Sequence, residues 1–305
     1  MKLLHEYNNG NTQVKLYEDG TKIREYEGVP QPEFFESCDV KITNVCDGPL
    51  CSYCHEKSGP NESHADLNAL KKLLSPIQIN SELAIGGGDI FRHPELHSFL
   101  SWAHQKGLIA NITINHRHLA QYSSQLLELI SSEFVRGVGV SYNSSLPMSD
   151  ITPLLQASDN IVFHLIMGVN TIEDIENLIA HCSSLNKKCK ILILGYKDYG
   201  YGKKYLTNHS DAIEYNKYQY YIRLASFFKS DNLVLSFDNL AIKQLKLQRY
   251  FMKDAWEKFF MGNDGTFTMY IDAVKQEYAV SSTSVERVSW KDKSLLEFFK
   301  GIKHD

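Results

Sequence analysis

From Ser37 to Gly195 the chain alternates short apolar runs with segments of helical period, and this alternation constrains the fold more than any other feature. The runs are 37–43 (SCDVKIT), 82–86 (ELAIG), 110–115 (ANITIN), 136–142 (RGVGVSY), 160–167 (NIVFHLIM) and 189–195 (CKILILG). Helical segments are expected near 65–74, 93–106, 118–131, 148–157 and 171–185. Asp66 opens the first, Pro94 sits in the first turn of the second, and Thr171 with Asp174 has the form of a capping box. Several runs are almost wholly apolar, which suits parallel strands covered by helices. Six strand–helix units are too few for a closed eight-stranded barrel. A partial (β/α)6 barrel and an open doubly wound sheet both remain.

The flanks have a different texture. In residues 1–35, Asp19-Gly20 between Val14–Tyr17 and Thr21–Arg24 predicts a β-hairpin appendage, ended by Pro30 and Pro32. Residues 196–230 concentrate tyrosine (Tyr196, Tyr199, Tyr201, Tyr205, Tyr215, Tyr218, Tyr220 and Tyr221), for which helix packing is the expected use. A strand at 232–237 precedes a helix, a hairpin (266–271 and 277–282) follows Gly262–Gly265, and a last helix covers 292–302. At 305 residues the chain suits one large domain with appendages. The C-terminal third is expected to pack on the sheet.

Cys46, Cys51 and Cys54 follow the first strand at the spacing Cys-x4-Cys-x2-Cys, among the turn formers Asp47, Gly48, Pro49 and Gly59. Three thiolates on one loop can bind a metal or an iron–sulfur cluster. Structural zinc takes four ligands, and simple electron-transfer clusters take four cysteines. Three leave a position open to a non-protein ligand. Six cysteines, three of them clustered, indicate metal ligation in a reducing compartment rather than a disulfide framework. A net charge of −4 gives no general pull toward nucleic acid or anionic lipid. The amino terminus lacks the apolar stretch of a signal peptide, and no apolar run approaches the ~18 residues of a membrane helix. A cytoplasmic location without membrane attachment is expected.

Sites in open α/β sheets gather at the carboxyl ends of the strands. The second strand runs into Gly86-Gly87-Gly88-Asp89, which matches neither G-x-G-x-x-G nor a P-loop. Glycines admit a ligand close to the backbone, and Asp89 repels phosphate and suits an amine. A plain tight turn with Asp89 at a helix start is the alternative. The third strand ends in Asn115-His116-Arg117-His118, the fourth in Ser141-Tyr142-Asn143, and the fifth in Ile166-Met167-Gly168, an apolar edge that can face a purine. Asn115 and Ser141 can hydrogen-bond a ribose or a carboxylate, or serve simply as turn and cap residues.

The three-cysteine loop, the aromatic Tyr53 before its last cysteine, and the Gly-Gly-Gly-Asp one unit later resemble the radical S-adenosylmethionine enzymes over about residues 36–200. The resemblance implies an α/β fold: a partial (β/α)6 barrel with an N-terminal β-hairpin (1–35), a core (36–200) and an α+β C-terminal extension that caps the substrate (201–305). It implies one [4Fe-4S] cluster on Cys46, Cys51 and Cys54, whose open iron takes the amino and carboxylate groups of S-adenosylmethionine. Carried over by position, Gly86, Gly87, Gly88 and Asp89 line the methionine amine, Tyr53 packs near the adenine, and Asn115 and Ser141 lie near the ribose and carboxylate. Ile166 and Gly168 edge the adenine. The reaction implied is reductive cleavage to a 5′-deoxyadenosyl radical that abstracts hydrogen from substrate, fed by a flavodoxin- or ferredoxin-type electron donor. Two departures stand out: the commoner cysteine spacing is x3 then x2, and the glycine motif commonly ends in Glu.

Asp39 and Lys41 share the face of the first strand opposite Cys38, Val40 and Ile42, so they point inward if the apolar set meets the helices. With Lys197, Tyr199, Asp238 and Asn239 at later strand ends, they are the candidate substrate contacts. A peptide or protein side chain is favoured over a nucleoside or other small molecule. Two other readings stay open: a zinc or structural-cluster module with Cys38 or His55 as fourth ligand, and an activase that places a glycyl radical on a protein. His93 and His97 read as a surface pair on a helix, and Cys182 and Cys189 as buried inert thiols.

Overall fold

The computed structural model describes residues 2–18, 20–47 and 51–302. Asp19 of the expected first hairpin, and Gly48 and Pro49 of the cysteine loop, lie outside the described residues.

The appendage is a three-stranded antiparallel meander, one strand more than a hairpin: β1 (Leu3–Asn9), β2 (Thr12–Tyr17) and β3 (Lys22–Tyr26). Gly10, at φ 62, makes the extra turn between the paired Asn9 and Thr12. The middle strand fully buries Val14 and Leu16. Arg24 meets the buried Glu36 at 2.8 Å, Lys22 meets Glu82 at 2.8 Å, and Arg136 donates to the Tyr17 carbonyl at 2.7 Å. Glu36, Glu82 and Arg136 stand at the amino ends of strands in the main sheet, so the meander lies across that end.

The main sheet has ten strands. Its first six are β4 (Ser37–Thr43), β5 (Glu82–Gly87), β6 (Ile109–Asn115), β7 (Gly137–Ser141), β8 (Ile161–Ile166) and β9 (Cys189–Leu194). Helices α1 (Leu67–Leu74), α2 (Leu96–Gln105), α3 (Leu119–Ser131), α4 (Thr152–Ala157) and α5 (Ile172–Ser184) fall one in each interval. Then come α6 (Tyr201–Phe227), β10 (Leu233–Phe237), α7 (Asn239–Leu245), α8 (Lys253–Phe259), β11 (Thr268–Asp272), β12 (Glu277–Ala279), β13 (Val288–Ser289) and α9 (Leu295–Lys300). The order is β10-β9-β8-β7-β6-β5-β4-β11-β12-β13. Strands β4 to β11 pair in parallel, and β12 and β13 add antiparallel. This is a mixed α/β fold with a large parallel sheet.

The C-terminal third therefore extends the sheet as well as packing on it. Strand β10 joins one edge beside β9, and β11 joins the other beside β4, with Asp272 opposite Lys41. Local periodicity cannot reveal a pairing between segments so far apart in the chain.

Alternate residues of each strand feed one core. Cys38, Val40, Leu83, Ile85, Val140, Phe163, Ile191 and Ile193 are at most 1% exposed and meet Leu67, Leu70, Phe99, Leu126 and Leu178 from the helices. Each such side chain contributes roughly 1.5–3 kcal/mol through burial. Cys182 and Cys189 belong to this core, both fully buried and free of disulfide, as α5 closes on β9. Helix starts follow their caps: Asp66 accepts from the Asn68 and Ala69 amides, and Thr171 with Asp174 forms a complete capping box. Helix α2 begins only at Leu96, so His93 precedes it and is no helical partner of His97. His93 is buried, with Nε2 3.0 Å from the Ala65 carbonyl oxygen. No helix among the described residues is long and apolar enough to cross a membrane.

Candidate functional site

The strand faces turned away from the helices enclose a cavity of about 770 Å3, lined from every strand of β4 to β11. On β5, β6 and β7 six inward positions are small, Ala84, Gly86, Thr113, Gly137, Gly139 and Ser141, beside the larger Glu82, Asn111 and Asn115. The six small residues leave room there that larger side chains would fill. On β8 the inward position beside Ser141 is His164, whose ring lies against Gly139 so closely that a β-carbon on the glycine would overlap it. Burial pulls the His164 pKa down to about 4, so the ring is neutral at pH 7.

The opposite wall is charged. Asp39 and Lys41 of β4 line the cavity while Cys38 and Val40 face the helices. Lys41 is buried and clamped between Asp272 at 2.6 Å and Glu56 at 2.8 Å. Burial pulls its pKa down, and Glu56 and Asp272 outweigh that to hold it above the ordinary lysine value. Lys197 donates to Ser282 Oγ at 2.9 Å and lies 3.2 Å from His55 Nε2. Asp238 caps α7 through the Ala241 amide at 2.6 Å and also accepts from the Gly195 amide at 2.9 Å.

The cysteine loop sits at the carboxyl end of β4, held from two sides. On one side the glycine turn lies against it: the amides of Gly88 and Asp89 donate to the Thr43 and Val45 carbonyls at 2.8 and 2.7 Å. Gly87, at φ 128, and Gly88 are required by that approach, since a β-carbon on either would run into the Thr43 or Val45 backbone. On the other side the start of α6 meets the end of the loop. The Tyr201 amide donates to the Cys54 carbonyl at 2.9 Å, and Gly200, at φ 61, leaves room for the His55 carbonyl.

All three thiols are free. Cys51 and Cys54 line the cavity, and Cys46 is buried just behind. Asn115 Nδ2 lies 3.6 Å from Cys51 Sγ, and Arg117 Nη2 lies 2.8 Å from Cys46 Sγ. Burial pushes both thiol pKa values up, and Arg117 opposes it at each. Arg117 is itself held at 3.0 Å by His118, next to Asp89. Among the described residues no three His, Cys, Asp or Glu side chains are gathered closely enough to hold a metal ion. The donor set fits a cluster in kind, with thiol sulfurs beside a large cavity and N–H donors on two of them. Of the rival fourth ligands, Cys38 faces the helix core and His55 Nε2 is engaged by Lys197.

The other residues singled out from the sequence divide. Tyr53, Gly86, Gly87, Asn115, Ser141 and Ile166 line the cavity. Tyr53 packs edge-on to Tyr205 of α6 with ring centroids 5.6 Å apart. Gly88 and Asp89 do not line it: Asp89 is buried, caps the short turn after it through the Phe91 amide at 3.2 Å, and accepts from Tyr122 at 3.1 Å. Gly168 packs under Ile213 of α6. Tyr199 bonds the Ser282 carbonyl, and Asn239 bonds Asp264 at 2.7 Å, both outside the lining. Sequence reasoning missed His164, Glu56 and Arg117. A polar ring at an inward position of an apolar strand was a readable signal for His164; the partners of Glu56 and Arg117 lie in distant segments.

In fold the chain is similar to Streptococcus suis SuiB bound to S-adenosylmethionine, with a TM-score of 0.57 at 13% identity over 88% of this chain and 66% of that one. It is equally similar to SuiB bound to the precursor peptide SuiA, with a TM-score of 0.57 at 15% identity over 88% of this chain and 65% of that one. The chain thus spans just under two thirds of the SuiB chains it matches. No protein-family model and no curated protein matches the sequence.

Proposed function

We propose that this protein is a radical S-adenosylmethionine enzyme. One observation carries the reading: the cysteine loop and the glycine turn, read as two halves of one cofactor site, are bonded backbone to backbone, and Cys51, Cys54, Gly86 and Gly87 line the same cavity. The solved SuiB complex with S-adenosylmethionine on the same fold supports it. Cys46, Cys51 and Cys54 would hold the [4Fe-4S] cluster. Tyr53, Gly86, Gly87, Asn115, Ser141 and Ile166 would face S-adenosylmethionine, while Gly88, Asp89 and Gly168 act by holding the backbone that does so. With those groups held there, the chemistry supplied would be radical abstraction of hydrogen from substrate.

The chain's own part is to bind, orient and shield. The small inward residues of β5 to β7 leave room for the cofactor. The curved parallel sheet serves as a partial barrel, with 36–200 as the cofactor core and 201–305 closing the substrate side. The charged wall faces substrate, and Lys41, locked between Glu56 and Asp272, fixes the loop's far side. Hydrogen abstraction needs no general base. A peptide substrate draws support from the precursor peptide bound by SuiB, and a flavodoxin- or ferredoxin-type donor in the cytoplasm completes the scheme.

The test is anaerobic reconstitution with iron and sulfide, then dithionite and S-adenosylmethionine, with 5′-deoxyadenosine as the readout. A brown protein with about four irons that forms the nucleoside is expected, and Cys51→Ala should lose both colour and product. A colourless protein with one zinc, unaltered by Cys51→Ala in its product formation, would end the proposal.

A further inference from the structure

Two of the three thiols are met by N–H groups from one point of the chain, the carboxyl end of β6. Asn115, the last residue of that strand, accepts from the Arg117 amide on Oδ1 at 3.2 Å and turns Nδ2 toward Cys51 Sγ at 3.6 Å. The turn capped in this way carries Arg117, whose Nη2 donates to Cys46 Sγ at 2.8 Å. Neither Arg117 nor Cys46 lines the cavity, so the guanidinium meets the loop from behind, away from the substrate space.

Arg117 is braced where it stands. Its Nε donates to His118 Nε2 at 3.0 Å, which puts the imidazole proton on Nδ1. That atom faces Asp89 Oδ2 at 3.7 Å, and Asp89 is held in turn by the Tyr122 hydroxyl at 3.1 Å and the Phe91 amide at 3.2 Å. Tyr122 stacks on Phe91 with ring centroids 4.7 Å apart. His118 and Asp89 are 8% and 3% exposed, so the brace runs through the interior, where a fixed cation acts more strongly than at the surface. The acidic residue after the glycine turn therefore has a use that needs no ligand: it ends the brace.

We propose that Arg117 is a positioning residue for Cys46 that sets the reduction potential of the cluster on the loop, with His118 and Asp89 holding it in place. The inference rests on the reading of Cys46, Cys51 and Cys54 as cluster ligands. One electron taken from the external donor adds one negative charge at the thiolate-bound centre, and an N–H donor with a cation behind it stabilises that added charge at the sulfur. The reduced form is favoured and the potential rises. A guanidinium suits the task because one fork can hold His118 and the thiol together.

The test is a redox titration of the anaerobically reconstituted full chain, followed by the electron paramagnetic resonance of the reduced centre. Arg117→Met loses the charge and is expected to shift the equilibrium about tenfold toward the oxidised form, a fall of about 59 mV for one electron. Arg117→Lys keeps the charge and should recover about half of that shift or more. His118→Phe keeps a ring and touches no thiol, so it should lower the potential by a smaller amount through a loosened Arg117. Where Arg117→Met holds no iron, His118→Phe decides. An Arg117→Met equilibrium within about twofold of wild type, no recovery by Arg117→Lys, or an unchanged potential in His118→Phe would overturn the proposal. A wild type that assembles no cluster removes the reading beneath it and overturns the inference as well. A wild type that forms 5′-deoxyadenosine while Arg117→Met keeps the wild-type potential ends this inference alone. The expected shift in a centre that forms no 5′-deoxyadenosine supports the inference and removes the radical chemistry.

Discussion

The two walls of the cavity are built on opposite principles. Along β5, β6 and β7 six inward positions hold Ala84, Gly86, Thr113, Gly137, Gly139 and Ser141, and the wall has room because larger side chains are absent at those six. Along β4, with the segment after β9, it holds Lys41 and Lys197, fixed in place by Asp272 and Glu56 for the first and Ser282 for the second, with Asp39 beside them. Emptiness costs little to the fold, since the outward faces of the same strands carry the core. Fixed charge is costly unless every partner is in position. Breaking a clamped charge on that wall should therefore register as lost stability, and changes on the empty wall as lost room.

Lys41→Met breaks this contrast most severely. It strands the Glu56 and Asp272 carboxylates against each other in a buried setting, with an expected loss of about 3–5 kcal/mol in urea unfolding. A loss below about 1 kcal/mol would mean that the clamp is a surface-like pair. Gly88→Ala comes next, because its β-carbon meets the Val45 and Asn44 backbone, which cannot swing aside as a side chain can. It should cost about 1–3 kcal/mol and reduce the iron retained after reconstitution; an unchanged iron content would detach the glycine turn from the cysteine loop.

Gly139→Val tests the empty wall. The His164 ring it displaces has no hydrogen bond among the described residues and can turn into the cavity, so unfolding should move by less than about 1 kcal/mol. S-adenosylhomocysteine binding should nevertheless fall by about tenfold or more, read by calorimetry. Equal affinity would place the cofactor elsewhere. The smallest effect is the pH dependence of Asp39→Asn. Because the folded-state pKa of Asp39 is raised from 3.8 to about 6, the fold favours its protonated form. The resulting penalty is absent below the unfolded pKa, grows between the two values, and is complete above about pH 6. Thermal melts should show the variant gaining on wild type at pH 8 and matching it near pH 3.5. A gain independent of pH would assign the effect to something other than that charge.

Much of this was legible in the chain. Parity within SCDVKIT placed Asp39 and Lys41 on the face opposite Cys38 and Val40, and they line the cavity. The caps at Asp66 and Thr171 were readable because a cap is a local event. What escaped was decided across long stretches of sequence: β11 lying beside β4, Glu56 reaching Lys41, and Arg117 reaching Cys46. Asp89 is the instructive case. Its position after three glycines suggested a ligand contact, yet the amide of Phe91 and the hydroxyl of Tyr122 claim its carboxylate, and the last two glycines serve a backbone junction.

The junction of Cys54 with the start of α6 also has a consequence for biosynthesis. The Tyr201 amide that secures the end of the cysteine loop lies far downstream of it. At ~5–20 residues per second of synthesis, roughly 7–30 s pass between the emergence of the last thiol and that of its restraint. For that interval the nascent chain carries three thiols on a tethered but unfastened loop, open to oxidation and to stray metal. The arrival of α6 fastens the end of the loop and leaves Cys51 and Cys54 facing the cavity.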